Sequence, residues 1–122
     1  LWMNHNKPNS FSLVKRENIA KSLSTLTVAL DDLFAWEKLN RLDYLKIDVE
    51  GAEKQVIAGA TKILEKYRPI IQIEITFDDI DINLDNYSVF RASAQSPNKI
   101  YIPNENSKIQ IATVLGWQKI QN

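Results

Sequence analysis

A chain of 122 residues, 44% hydrophobic and 25% charged, is long enough for one domain and too short for two. Its 15 Lys and Arg balance 15 Asp and Glu, so the net charge is zero and no basic excess argues for a nucleic-acid partner. Cysteine is absent, which excludes disulfides, thiolate metal sites and cysteine catalysis.

The start, from Leu1 to Asn9, is polar and carries no signal-peptide apolar core. No apolar run approaches the roughly 20 residues of a membrane span. A cytoplasmic protein without a membrane segment is expected. The first residue is Leu, not Met, and the chain reads as beginning inside a longer protein. Ser10-Phe11-Ser12-Leu13-Val14 alternates weakly and predicts a short strand or edge hairpin, with residues 1–24 otherwise irregular. Thr25-Leu26-Thr27-Val28-Ala29-Leu30 alternates and is β-branched, so a strand is predicted. Asp31 and Asp32 then predict a helix start, their carboxylates accepting bonds from the free amides of that first turn. Leu33, Phe34, Trp36 and Leu39 would form its apolar face.

The run from Asp43 to Glu50 predicts a second strand. Leu45, Ile47 and Val49 would face one way, and Lys46, Asp48 and Glu50 the other. Gly51 breaks it. Val56, Ile57, Ala60, Ile63, Leu64 and Tyr67 then keep the 3,4 spacing of one continuous helix. Glu53 in the first turn and Lys62 and Lys66 near the end suit the helix dipole, and Pro69 stops the helix. Ile70-Ile71-Gln72-Ile73-Glu74-Ile75 reads as a strand covered on both faces. Strand, helix and strand make a βαβ unit with parallel strands. Asp48, Glu50 and Glu74 therefore share one edge of the sheet. Beyond Thr76 the pattern predicts an acidic connection, a strand over 87–91, a turn at Pro97-Asn98, a strand over 99–102, a loop, and a last helix end and strand over 113–120.

Several chemistries are excluded. Asp79-x-Asp81-x-Asn83-x-Asp85 begins like a calcium loop, but the positions needing Gly and a bidentate Glu hold Leu84 and Phe90. His5 is the only histidine and sits among Asn and Lys, and no G-x-S-x-G elbow exists, so a hydrolase triad is rejected. With glycine only at 51, 59 and 116, neither a dinucleotide fingerprint nor a P-loop is present. The carboxylates remain. Glu53 is read as a helix-terminal charge. Asp48 and Glu74 each end an apolar strand, where burial is expected and an unpaired charge is costly, so a partner or a role is expected.

Four blocks carry a resemblance: Leu30-Asp31-Asp32-Leu33, Tyr44-Leu45-Lys46-Ile47-Asp48-Val49-Glu50-Gly51-Ala52-Glu53, Val56-Ile57-Ala58-Gly59-Ala60 and Pro69-Ile70-Ile71-Gln72-Ile73-Glu74-Ile75. In that order and spacing they resemble the C-terminal half of FkbM-type methyltransferases. The likeness is specific over about residues 25–76 and looser beyond, where Ser96 to Pro103 also looks similar. It implies an α/β fold, the C-terminal half of a class I (Rossmann-like) methyltransferase sheet, with a βαβ core and additional C-terminal strands. Residues 1–122 would then be a partial domain without the glycine-rich, cofactor-binding half.

The activity implied is methyl transfer from S-adenosylmethionine to oxygen of a sugar or small natural product. This chain alone is expected to be inactive and to hold no cofactor-binding residue. By position, Asp48 corresponds to the acidic residue facing the transfer centre, Glu50 follows on the same face, and Glu74 ends the next strand. Asp48, with Glu50, is the candidate general base or acceptor-orienting group. Alternatively, Asp48 and Glu74 hold a divalent metal that acidifies the acceptor. A small-molecule or glycan acceptor and self-association of the fragment are the expected interactions. Two other readings stand beside this one: a non-catalytic α/β remnant serving binding or assembly, and an unrelated α/β enzyme using paired carboxylates.

Overall fold

A computed structural model describes residues 2–3, 11–12, 26–75 and 82–120. The elements are β1 (Trp2–Met3), β2 (Phe11–Ser12), α1 (Leu30–Trp36), β3 (Tyr44–Ile47), α2 (Glu53–Ala58), α3 (Thr61–Tyr67), β4 (Ile70–Glu74), β5 (Tyr87–Arg91), β6 (Asn98–Pro103), α4 (Ile109–Val114) and β7 (Gln118–Ile120). β1 and β2 pair antiparallel as a separate ladder. The other strands form one mixed sheet in the order β3-β4-β6-β5-β7.

The predicted βαβ unit is present, with β3 and β4 parallel and Ile47 opposite Ile73. β6 runs antiparallel to both β4 and β5, so β5 points the same way as β4. β7 closes the far side antiparallel to β5. The strand expected over 87–91 is β5. The strand expected over 99–102 is β6, extended by one residue at each end.

The two faces are packed unequally. On one, Ile47, Ile71, Ile73, Val89 and Tyr101 meet Ala60, Ile63 and Leu64 from the helical side. On the other, Phe90 and Ile102 pack under Ala112 of α4, with Ile70, Ile100 and Trp117 around them. β4 therefore alternates, its Ile71 and Ile73 buried and its Ile70, Gln72 and Glu74 half-buried. It is not covered evenly on both faces as the sequence suggested.

Three expectations change. Residues 26–29 form no strand. The alternation is there, but among the described residues β3 has a sheet neighbour only in β4, and the segment pairs with no strand. Leu26 is 95% exposed. Strand propensity reflects cross-strand packing, and without a partner it produces only extended backbone.

Next, α1 ends at Trp36. Leu30 and Phe34 turn inward, while Trp36 and Leu39 remain exposed. Finally, the single helix predicted from the 3,4 stripe is two helices, broken at Gly59 and Ala60. Asp31 explains the break. Its N–H donates to the Gly59 carbonyl (2.9 Å), and its carboxylate accepts from the amides of Lys62 (3.1 Å) and Ile63 (3.0 Å). Asp31 thus supplies α3 with acceptors that a continuous helix would have drawn from its own preceding turn. It makes no side-chain cap on its own helix, where such a bond was expected.

α3 ends at Arg68, which takes the left-handed conformation at φ 49°, just before Pro69. A non-glycine residue there costs about 1 kcal/mol. The guanidinium offsets that cost. It donates to both oxygens of Glu105 (2.8 and 3.3 Å) and to the carbonyls of Asp85 (3.1 Å) and Asn86 (2.9 Å). It also lies 4.4 Å from the centroid of the Tyr87 ring. One side chain therefore ties the end of α3 to the turn before β5 and the loop after β6. His5, Asp79 and Asp81 lie outside the described residues.

Candidate active site

β3 and β4 end on the same edge, and the register sets the carboxylates there. Ile47 faces Ile73, so Asp48 and Glu74 each follow one residue on. Glu74 in turn stands opposite Asn98, the first residue of β6. The shared neighbourhood read from the sequence is therefore real.

The expected burial of Asp48 is not. Its side chain is 41% exposed, and Lys46 Nζ donates to Oδ2 at 2.9 Å. The strand ends at Ile47, so Asp48 escapes the packed sheet. The Lys46 ammonium is held above the ordinary lysine range, first by the bond from its own Nζ to Asp48, then by the Asp48 charge, with Glu74 adding to it. Lys46 thus senses both carboxylates and joins the candidate group, although the sequence singled out only the acids. Glu74 is half-buried at the end of β4.

Beside these groups a polar chain crosses the same sheet face. The Tyr44 hydroxyl donates to Gln72 Oε1, and Gln72 Nε2 donates to Asn98 Oδ1 at 2.7 Å. Asn98 N–H donates to Ser96 Oγ at 3.2 Å. An amide inside an apolar strand gives no signal of its own, so Gln72 was missed, and Asn98 was read as part of a turn; only the register aligns them.

The turn after Asp48 is unusual. Glu50 has φ 53° and Gly51 has φ 105°, two successive residues with positive φ. Glycine takes its conformation freely, whereas Glu50 needs support. Glu53, read from the sequence as a helix-terminal charge, is 0% exposed. Its Oε1 accepts the Gly51 amide at 2.9 Å. Its Oε2 is buried and has no hydrogen-bond partner among the described residues. The buried carboxyl group of this edge is thus Glu53, not Asp48.

The sequence matches the family model of the Methyltransferase FkbM domain over residues 3–100. The chain belongs to the FkbM methyltransferase family. The match begins well before the residues that carried the resemblance and ends within β6, so the Ser96–Pro103 block is only partly included. No curated protein and no solved structure matches the chain. Membership implies a Rossmann-like fold, and the five-stranded mixed sheet with helices between its parallel strands agrees with it. Membership also implies use of S-adenosylmethionine.

The described residues of this FkbM domain do not fit that cofactor. Nucleotide-type ligands rest on free amides of a glycine-rich turn at a helix start. Gly51 is the only glycine at such a turn here, and Glu53 already takes its amide. A divalent cation fits no better. No group of three or more His, Asp or Glu among the described residues could hold a metal, and the Lys46 ammonium stands against Asp48. No described helix is long and apolar enough to cross a membrane.

Proposed function

We propose that this edge is the acceptor side of an O-methyltransferase acting on a sugar or small natural product, and that Asp48 orients the acceptor hydroxyl and takes its proton. Glu50 is the second carboxylate of the reacting group, and Glu74 contributes to the field around it. Methyl transfer to oxygen needs the acceptor aligned and its proton accepted as the bond forms. The reading rests above all on Asp48. It is a solvent-accessible carboxylate, just past a strand end, with Lys46 at 2.9 Å in a family of methyltransferases.

Polyhydroxylated acceptors suit the neighbouring Gln72 and Asn98 amides, which offer both donors and acceptors. No step is assigned to a metal. These 122 residues, lacking a glycine cradle, do not turn over alone. The test is Asp48→Asn in the active form of the protein. Transfer of labelled methyl to a hydroxyl acceptor should fall by about 10²- to 10⁴-fold with the fold intact. Near-normal turnover removes Asp48 from the chemistry.

A further inference from the structure

Glu53 is out of place as a surface helix charge. It lies at the first position of α2, yet solvent does not reach it. A buried carboxyl group is costly unless its bonds are made, and among the described residues this one makes a single bond, through Oε1. That bond goes backwards along the chain to the Gly51 amide, inside the two-residue stretch of positive φ. Ala52, between the two, is 1% exposed and accepts the Val56 amide at 3.0 Å, so the C-terminal end of the turn is anchored in α2. The N-terminal end of the same turn is Asp48 and Glu50. Its conformation sets Glu50 and the course of the chain that leaves Asp48, and among the described residues the side-chain bond to its glycine comes from Glu53.

We infer that Glu53 is a positioning residue for the acceptor edge: its buried carboxyl group holds Gly51 and so fixes the left-handed turn that aims Asp48. The inference rests on the proposed reading only in taking Asp48 as the working group. Its structural content is that the Lys46–Asp48 pair depends on a side chain whose hydrogen bond goes to Gly51 and to neither member of the pair. Oε1 accepts equally well as a carboxylate or an amide oxygen, and Oε2 receives no donor among the described residues. Glutamine can therefore replace glutamate without breaking a bond. Aspartate is one methylene shorter, which draws its carboxylate back from the Gly51 amide on the same backbone.

Lys46 itself is the probe. An ammonium paired with a carboxylate reacts slowly with acylating reagents, because the reactive neutral amine is suppressed. The folded chain is treated briefly with acetic anhydride, and modification of Lys46 is read by peptide mass spectrometry. Glu53→Ala and Glu53→Asp should raise the Lys46 rate by about two- to fivefold, the range expected for loss of an exposed ion pair. Glu53→Gln should stay at the parent rate. Asp31→Ala weakens α3 and leaves the turn alone, so it should also stay at the parent rate.

If Glu53→Ala does not fold, Glu53→Asp carries the test. An unchanged rate in Glu53→Asp overturns the inference. So does a rise in Glu53→Gln equal to that in Glu53→Asp, or an equal rise in Asp31→Ala, which would indicate general loosening. No methyl transfer is measured, so near-normal turnover of Asp48→Asn would refute the proposed function and leave this result standing.

Discussion

Replacing Asp31 with alanine removes the one side chain that starts α3. Two amides, Lys62 N and Ile63 N, lose a carboxylate acceptor at 3.1 and 3.0 Å. The Ile63 amide is partly buried and cannot fully exchange that bond for water. Loss of a side-chain cap costs about 0.5–2 kcal/mol, and bonds to a charged group lie toward the upper end, so about 2 kcal/mol is expected. With about 2.1 cal/mol/K of unfolding entropy per residue, that loss over 122 residues lowers Tm by roughly 8 °C. Asp31→Asn keeps one acceptor oxygen, so roughly half the effect is expected.

Thermal unfolding followed by circular dichroism measures the shift. Amide hydrogen exchange at Lys62 and Ile63 identifies its source, since both amides should exchange faster in the alanine variant. A Tm within about 2 °C of the parent, with both amides still protected, would refute the capping role.

The other expectations are simpler to read. The Arg68 guanidinium, by its bonds to Glu105, holds that carboxyl group below the ordinary glutamate range. The stability this contributes is present above the unfolded value of about 4.5 and is lost as pH falls through the lower folded value. Glu105→Gln should therefore be less stable than the parent to urea near neutral pH, with the gap closing as the medium is acidified. A gap that stays constant would separate Glu105 from the acid limb. Burial pushes the Tyr87 hydroxyl above the ordinary tyrosine range, more than Arg68 pulls it down. The folded state then keeps a proton that the unfolded chain releases, so stability is lost as pH rises above about 10. Tyr87→Phe should weaken that alkaline loss. It should change stability near neutral pH by no more than about 1 kcal/mol, because the hydroxyl has no hydrogen-bond partner among the described residues.

Much of the sheet was legible in the sequence. The Ile70-Ile71-Gln72-Ile73-Glu74 run, the breaker at Gly51 and Pro69, and the helical stripe between them together required a parallel crossover. That crossover places Asp48 beside Glu74, as the register bears out. Tyr87 to Arg91 was equally plain, because β-branched and aromatic residues there stand between turn formers.

The failures share one cause. Residues 26–29 have strand chemistry and, among the described residues, lack a strand to pair with. The break at Gly59 depends on Asp31, distant in sequence, which periodicity does not sense. Asp48 and Glu53 exchanged their expected environments because strand alternation was carried one residue too far, past Ile47. A helix-start glutamate also gives no sign that it will fold back on Gly51.

Because β6 runs against β4 and β5, the connection from Arg91 to Asn98 opens on the same edge as Asp48 and Glu74. Residues 92–95 are exposed, and the ladder on either side is closed by its own backbone bonds, with Ile75 N–H also reaching the Pro97 carbonyl at 2.8 Å. Chain can be inserted or exchanged at the tip of this hairpin without disturbing a strand register or the packed face beneath it. It is the place where natural variation, or a designed graft, can change what stands over the carboxylates while leaving them where they are.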